Sequence, residues 1–140
     1  MRSILVLNSK GGSGKTTIAT NLASFYASIG KQVALVDLDS QESSISWLKA
    51  RSSAKPPITG IKGYGIKVKR GVDYKIIDAP AGLQGAALTK VLNMAESVII
   101  PVLPSPIDMR AAGDFIKNIK KHSRVVKKKS KIALVANRGR

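Results

Sequence analysis

A glycine- and lysine-rich segment, NSKGGSGKTT from Asn8 to Thr17, carries the residues of this chain best suited to chemistry. Closely spaced glycines let a backbone turn point its N–H groups inward, and a lysine among them offers a point charge to phosphate oxygens. A threonine after that lysine can bind Mg²⁺, and the positive end of a following helix adds attraction for anions. The segment predicts a phosphate-binding loop whose ligand contacts come from Gly11, Gly12, Ser13, Gly14, Lys15, Thr16 and Thr17.

The segment departs from the general pattern G-x-x-x-x-G-K-[ST] at one place, because Ser9 stands where the pattern has glycine. We expect the loop to form provided that this position needs no positive φ. The alternative is a glycine-rich turn without a ligand, but K-G-G-x-G-K-T-T arises by chance only about once in a million chains of this size. Lys10 is a second lysine within the loop, and an exposed lysine without a role is the alternative there.

Aspartates follow two apolar runs, VALVDLDSQ with Asp37 and Asp39, and YKIIDAPAG with Asp78. Carboxylates at strand ends beside a phosphate loop are suited to holding Mg²⁺ or a water molecule. A paired-carboxylate acid/base site is one alternative, but aspartates two residues apart at a strand end usually diverge. A simple strand-end turn remains open for Asp37 and Asp39.

Short apolar runs alternate with segments of helical period, which predicts parallel βαβ units and an α/β fold with a mostly parallel sheet flanked by helices. We predict strands over 3–7, 32–37, 74–78, 97–103 and 131–136 and helices over 15–29, 42–50, 84–94 and 108–123. Gly30 is the expected left-handed C-terminal cap and Asp108 the expected N-cap. Residues 52–71 form a connector with a short edge strand expected at Ile66 to Lys69. Because ligands bind at the carboxyl ends of parallel strands, one edge of the sheet should collect the site.

Composition limits the possible functions. The 140 residues suit one domain, and the absence of cysteine excludes disulfides, thiolate metal sites and a cysteine nucleophile. No apolar run approaches the roughly 18 residues of a membrane span, and the chain enters a strand at once, so we expect a cytoplasmic protein.

Basic residues exceed acidic ones by 24 to 8, giving a formal charge of +16. Nothing acidic lies between Glu42 and Asp73 or after Asp114, so the excess is local. A one-sided charge of this kind indicates a polyanionic partner, and a merely solvated face is the alternative. The candidate phosphate contacts are the segment Lys62 to Arg70 and the residues Lys117, Lys120, Lys121, Arg124, Lys127, Lys128 and Lys129.

The motif KGGSGKTT resembles the deviant Walker A motif of the ParA/MinD family of P-loop ATPases, which carries a lysine at the place of Lys10. The resemblance implies that Lys10 reaches across an ATP-bound dimer and is catalytic together with Lys15 and Asp39. It implies ATP and Mg²⁺ as cofactors, with Thr16, Asp37 and Asp78 near the metal. It places the two switch segments at Asp39 with Gln41 and at Pro80 with Gly82, although Ser40 stands where the family has proline.

The run IIPVLPSPIDMRAA is similar to the corresponding segment of small ParA proteins. This resemblance implies that the protein forms an ATP-dependent homodimer and binds nonspecific DNA. It also implies a ParB-like adaptor that stimulates hydrolysis, a nucleoid-associated location and no membrane partner. Asn137 is the expected adenine contact. Family members continue with a further strand and helix, so a C-terminally truncated single domain, residues 1–140, is expected. The alternatives are a MinD-like membrane-cycling ATPase, a ligase of the dethiobiotin-synthetase type and a non-hydrolysing regulatory module.

Overall fold

Strands and helices alternate along the chain in the computed structural model, which describes residues 1–8, 15–125 and 131–136, with side chains as far as residue 121. In this part the strands are β1 (Arg2–Val6), β2 (Val33–Asp37), β3 (Thr59–Lys62), β4 (Tyr74–Asp78), β5 (Ser97–Val102) and β6 (Lys131–Ala136). The helices are α1 (Lys15–Ser28), α2 (Ser43–Ala50), α3 (Gly85–Leu92) and α4 (Pro106–Val125). The predicted elements are confirmed to within a few residues, apart from the edge strand.

The strands form one parallel sheet in the order β3-β2-β4-β1-β5-β6. The register aligns the chemically important strand ends, because Asp78 on β4 lies opposite Val6 on β1 and opposite Asp37 on β2. Both aspartates and the segment after β1 therefore meet at one edge, as the parallel topology requires.

Each face of the sheet is covered by its own layer. On one face, α1 and α2 pack Ala19, Ala23 and Leu48 against β-strand residues such as Leu35. On the other face, α3 and α4 contribute Leu88, Val91, Phe115 and Ile119, and the connector adds Val68 and Val72. The alternating side chains of the buried strands thus supply both cores and hold the helix ends at the edge of the sheet.

The expected edge strand at 66–69 is wrong, because the edge strand is β3 at 59–62. This edge strand lies between α2 and the core on the other face of the sheet. Gly60 suits the α2 side, where an added Cβ would lie 2.9 Å from Leu48 Cδ1, and Ile61 fills the other side. If residues 66–69 took this place, Lys67 would stand at the position of Gly60, where even a Cβ lies too close to Leu48.

The expected N-cap at Asp108 is also wrong, since α4 begins at Pro106 and Ser105 caps it. The Asp108 N–H donates to Ser105 Oγ at 3.2 Å, and that hydroxyl donates to the Asp108 carboxylate. This is a serine N-cap with proline at the first helical position, where its missing N–H costs nothing. Asp108 is its third helical residue.

Gly30 ends α1 in a left-handed conformation with φ of 86°, as predicted. Its N–H donates to Ala27 O at 3.1 Å, and the Lys31 N–H donates to Tyr26 O at 3.0 Å, which is the Schellman pattern. We expect Gly30→Ala to lower the free energy of unfolding by about 1 kcal/mol, because the added Cβ has open space and only the backbone is strained.

Gly113→Ala is the matched control, since Gly113 lies inside α4 with open space around an added Cβ and no positive φ. It should raise the free energy of unfolding by about 0.5–1 kcal/mol through helix propensity. Urea denaturation of both variants tests this, and equal shifts of the same sign would contradict the backbone explanation.

Candidate nucleotide site

Several predicted site residues lie outside the described part of the chain. These are Lys10, Gly11, Gly12, Ser13 and Gly14 of the loop, Lys127, Lys128 and Lys129 of the basic segment, and Asn137. The described part of the site begins where the loop passes into α1 at Lys15, the residue at which the helix was predicted to start.

The buried carboxylate of Asp78 is the centre of the described site. Asp78 is fully buried at the end of β4, and Lys15 at the start of α1 donates to its Oδ1 in an ion pair. The hydroxyl of Thr16 donates to Asp78 Oδ2 at 3.1 Å. Lys15 itself is only 7% exposed, so its charge is separated from solvent and depends on Asp78 for a partner.

Asp37, at the end of the neighbouring strand β2, organises the backbone of the first predicted switch. Its Oδ1 accepts the Asp39 N–H and its Oδ2 accepts the Ile45 N–H, both at 3.0 Å. Burial raises the pKa of Asp37, and the negative charge of Asp78 acts in the same direction, while the two backbone N–H groups and Lys15 oppose it. Asp37 therefore fixes the start of α2 at some electrostatic cost.

The carboxylate of Asp39 also lies close to the ammonium group of Lys15. Its Oδ2 lies 3.5 Å from Lys15 Nζ, and its Oδ1 accepts the Gln41 N–H at 3.0 Å, which closes a tight turn. Gln41 is exposed. Asp39 of the first predicted switch thus lies against Lys15.

The second predicted switch follows β4. Pro80 is partly buried, and Gly82 is exposed with φ of 72°, a conformation that favours glycine. The Gly82 N–H donates to Asn8 O at 3.1 Å, just before the phosphate-loop segment. Thr17 is exposed on the first turn of α1.

Ser44 is a residue that the sequence analysis missed. It is fully buried in the first turn of α2, and its hydroxyl donates to Asp78 Oδ2. It thereby joins the helix after the first switch to the carboxylate at the end of β4. The sequence offered only a serine near the start of a helix, which is common at such positions.

The charges of the site suit a divalent cation beside phosphate groups. Three carboxylates, those of Asp37, Asp39 and Asp78, share the single ammonium group of Lys15. Thr16 and Asp78 offer adjacent hard oxygen ligands of the kind that Mg²⁺ prefers. Among the described residues, no three acidic or histidine side chains converge as a closed metal site. Mg²⁺ usually takes one or two protein ligands, with several waters and phosphate oxygens.

The predicted polyanion contacts on α4 lie away from this site. Lys117, Lys120 and Lys121 are exposed on α4, and Arg124 belongs to the same helix by its backbone. Because α4 begins at the edge that holds the site and runs back across the sheet, Lys117 lies about 16 Å further along the helix axis. A nucleotide at the site could affect these residues only indirectly.

No helix in the described part of the chain is long and apolar enough to cross a membrane.

The Ser44 contact makes a stability prediction. Ser44→Ala removes a donor to a buried charged carboxylate and should lower the free energy of unfolding by about 2 kcal/mol. Ser43→Ala is the matched control, because Ser43 is the exposed neighbour in the same helical turn and should change stability by less than about 0.5 kcal/mol. Denaturant unfolding of both variants is the measurement, and equal small effects would show that the contact carries little energy.

The sequence of this chain is similar to those of several known proteins. The chain is 32% identical over 143 residues to maintenance of carboxysome distribution protein A of Halothiobacillus neapolitanus, a match that covers 96% of this chain and 65% of that relative. It is 52% identical over 80 residues to the chromosome-partitioning ATPase Soj of Thermus thermophilus, covering 57% of this chain and 26% of Soj. The chain thus spans less than two thirds of the length of these curated relatives.

Among solved structures, pNOB8 ParA bound to nonspecific DNA has the same fold, with a TM-score of 0.65 and 19% identity over 84% of this chain and 59% of that one. The family model described as the CobQ/CobB/MinD/ParA nucleotide binding domain matches residues 4–140. The chain therefore belongs to the CobQ/CobB/MinD/ParA nucleotide-binding family.

Proposed function

We propose that this chain is the nucleotide-binding part of a ParA-type ATPase that forms an ATP-dependent homodimer, binds DNA without sequence preference and positions a cargo. The observation that carries the proposal is the junction of Lys15, Thr16 and Asp78 at the start of α1, with Asp39 held against the same lysine. A named relative that distributes carboxysomes and one that partitions chromosomes support the cargo-positioning role.

Binding of ATP requires Lys15 to change partners. The loop N–H groups of Gly11, Gly12, Ser13 and Gly14, with Thr17, would surround the phosphates, and Asn137 would contact adenine. The ammonium of Lys15 would move from the carboxylates of Asp78 and Asp39 to the phosphate oxygens. Thr16 and Asp78, with Asp37 nearby, would hold Mg²⁺, which supplies positive charge to neutralise the phosphates when bound.

Hydrolysis would follow from the release of Asp39. Once Lys15 faces phosphate, the Asp39 carboxylate is free to orient or deprotonate the attacking water. Lys10 of the second protomer would approach the β- and γ-phosphates and stabilise the negative charge that spreads over the transferring group. Gln41 on one side, and Pro80 with Gly82 on the other, would adjust their backbone to the presence of the γ-phosphate.

DNA binding would use the basic residues of α4 and the segment beyond it: Lys117, Lys120, Lys121, Arg124, Lys127, Lys128 and Lys129. A solved relative bound to nonspecific DNA supports this part of the proposal. A ParB-like adaptor would stimulate hydrolysis and so release the protein from DNA. Such a cycle would place the protein in the cytoplasm, associated with the nucleoid.

ATP turnover across a range of protein concentrations tests the proposal. We expect slow turnover that rises more than linearly with protein and increases with duplex DNA, because the active species is a dimer. Lys10→Ala should reduce turnover by at least about tenfold, since a charge at the transferring phosphoryl group contributes strongly to the rate.

Lys31→Ala is the matched control, because Lys31 is an exposed lysine after α1 and lies outside the loop. It should leave turnover unchanged. Tight ATP binding with no turnover under any condition would contradict hydrolysis and favour a nucleotide-gated binding module. DNA affinity that hardly changes with salt or nucleotide would contradict the DNA-binding part.

A further inference from the structure

The turn that follows β3, formed by Lys62, Gly63, Tyr64 and Gly65, lies at the edge of the sheet that holds the nucleotide site. Lys62 is opposite Asp37 in the register of β2 and β3, and the Gly63 N–H donates to Asp37 O at 2.9 Å. Gly63 and Gly65 have φ of 87° and 77°, so both flanks of Tyr64 adopt conformations that favour glycine. The turn therefore holds Tyr64 between two glycines, directly after the end of β3.

One side of this turn contacts the segment after the first switch. Lys62 forms an ion pair with Glu42, the N-cap residue of α2, which has a left-handed φ of 55° without being glycine. Lys62 is 67% exposed, so the pair contributes at most about 1 kcal/mol. A contact this weak can break and re-form when Asp39 and Gln41 move, which suits a switch better than a structural support.

The other side contacts the helix after the second switch. Lys90 in the last turn of α3 places its Nζ 4.2 Å from the centroid of the Tyr64 ring. A partly exposed cation–π contact of this kind is worth about 0.5–1 kcal/mol. Because α3 begins three residues after Gly82, the turn touches the elements that follow both switch segments.

The chain beyond the turn carries unpaired positive charge. Val68 and Val72 pack against the core on the α3 and α4 face, while Lys67, Lys69 and Arg70 between and beside them are exposed. No ion pair is recorded for these three among the described residues. Val68 packs on the core that α3 and α4 cover, so this segment lies on the same side of the sheet as α4, which carries Lys117, Lys120 and Lys121.

We propose that residues 66–70 form a second contact surface for the phosphates of duplex DNA, whose position is set by nucleotide state through the turn at 62–65. The inference rests on the proposed DNA-binding function and adds to it a surface and a route of regulation. ATP would shift the two switch segments, and the contacts of Glu42 with Lys62 and of Lys90 with Tyr64 would carry that shift to Lys67, Lys69 and Arg70.

The surface is tested by salt titration of duplex DNA binding with ATP, using the 140-residue chain. Each phosphate contact contributes about 0.9 to the slope of log affinity against log salt concentration. Lys67→Gln with Lys69→Gln should therefore lower the slope by about 1.8. Lys49→Gln with Lys55→Gln removes the same charge from the α2 side of the molecule, as Leu48 packs in the opposite core, and should leave the slope unchanged.

The regulation is tested by Glu42→Gln with Tyr64→Leu, which breaks both contacts without removing a lysine or arginine. The readout is the ratio of DNA affinities with saturating ATP and with saturating ADP. We expect the ratio to fall at least about fivefold towards one, while the salt slope with ATP is retained. A thermal unfolding midpoint within a few degrees of wild type shows that each variant is folded.

The outcomes separate this inference from the proposed function. Wild-type protein that binds no DNA in either nucleotide state would overturn the proposed function and this inference together. If wild type binds DNA in a nucleotide-dependent way but the variant at 67 and 69 keeps the wild-type salt slope, the proposed contact surface alone is overturned. If the variant at 67 and 69 has a lowered salt slope but the variant at 42 and 64 keeps the wild-type ratio of DNA affinities with ATP and ADP, the proposed regulation is overturned.

Discussion

The buried carboxylate of Asp78 is the group on which the rest of the site depends. It lies at the buried end of β4 and accepts hydrogen bonds from the ammonium of Lys15 and from the hydroxyls of Thr16 and Ser44. Removing one member of a buried ion pair leaves the other charge uncompensated, which is costly. In the proposed function a phosphate and Mg²⁺ would replace the two halves of the ion pair together, which would couple nucleotide binding to Mg²⁺.

The parallel sheet connects the ends of β2 and β4 to the start of α2. β2 and β4 are neighbours in register, so Asp37 and Asp78 end side by side, and both hold the start of α2 through Ile45 and Ser44. A shift of either carboxylate would therefore act on the first turn of α2. The adjoining turn at 62–65 contacts the start of α2 and also contacts α3, so it touches the helices that follow both switch segments.

Much of this arrangement could be predicted from the sequence, because motif spacing and apolar runs carry local information. Strand ends at Asp37 and Asp78 and the start of α1 follow from such patterns. The edge strand could not, since its place depends on Gly60 fitting under Leu48, a tertiary constraint. The alternation of valine and lysine near residue 68 is strand-like, but those valines pack on the core without pairing. Ser44 had no motif, because its role comes from the register of β4 with β2.

In the proposed function, Asp78 competes with phosphate for Lys15 and is needed to hold the cation. The most direct measurement is the ATP dissociation constant of wild type and Asp78→Asn by calorimetry, with and without Mg²⁺. Without Mg²⁺, Asp78→Asn should bind ATP more tightly than wild type, because Lys15 loses its competing partner and a negative charge leaves the site. Mg²⁺ should tighten the binding of ATP by wild type but not by Asp78→Asn. Equal or weaker ATP binding by the variant without Mg²⁺ would contradict the account.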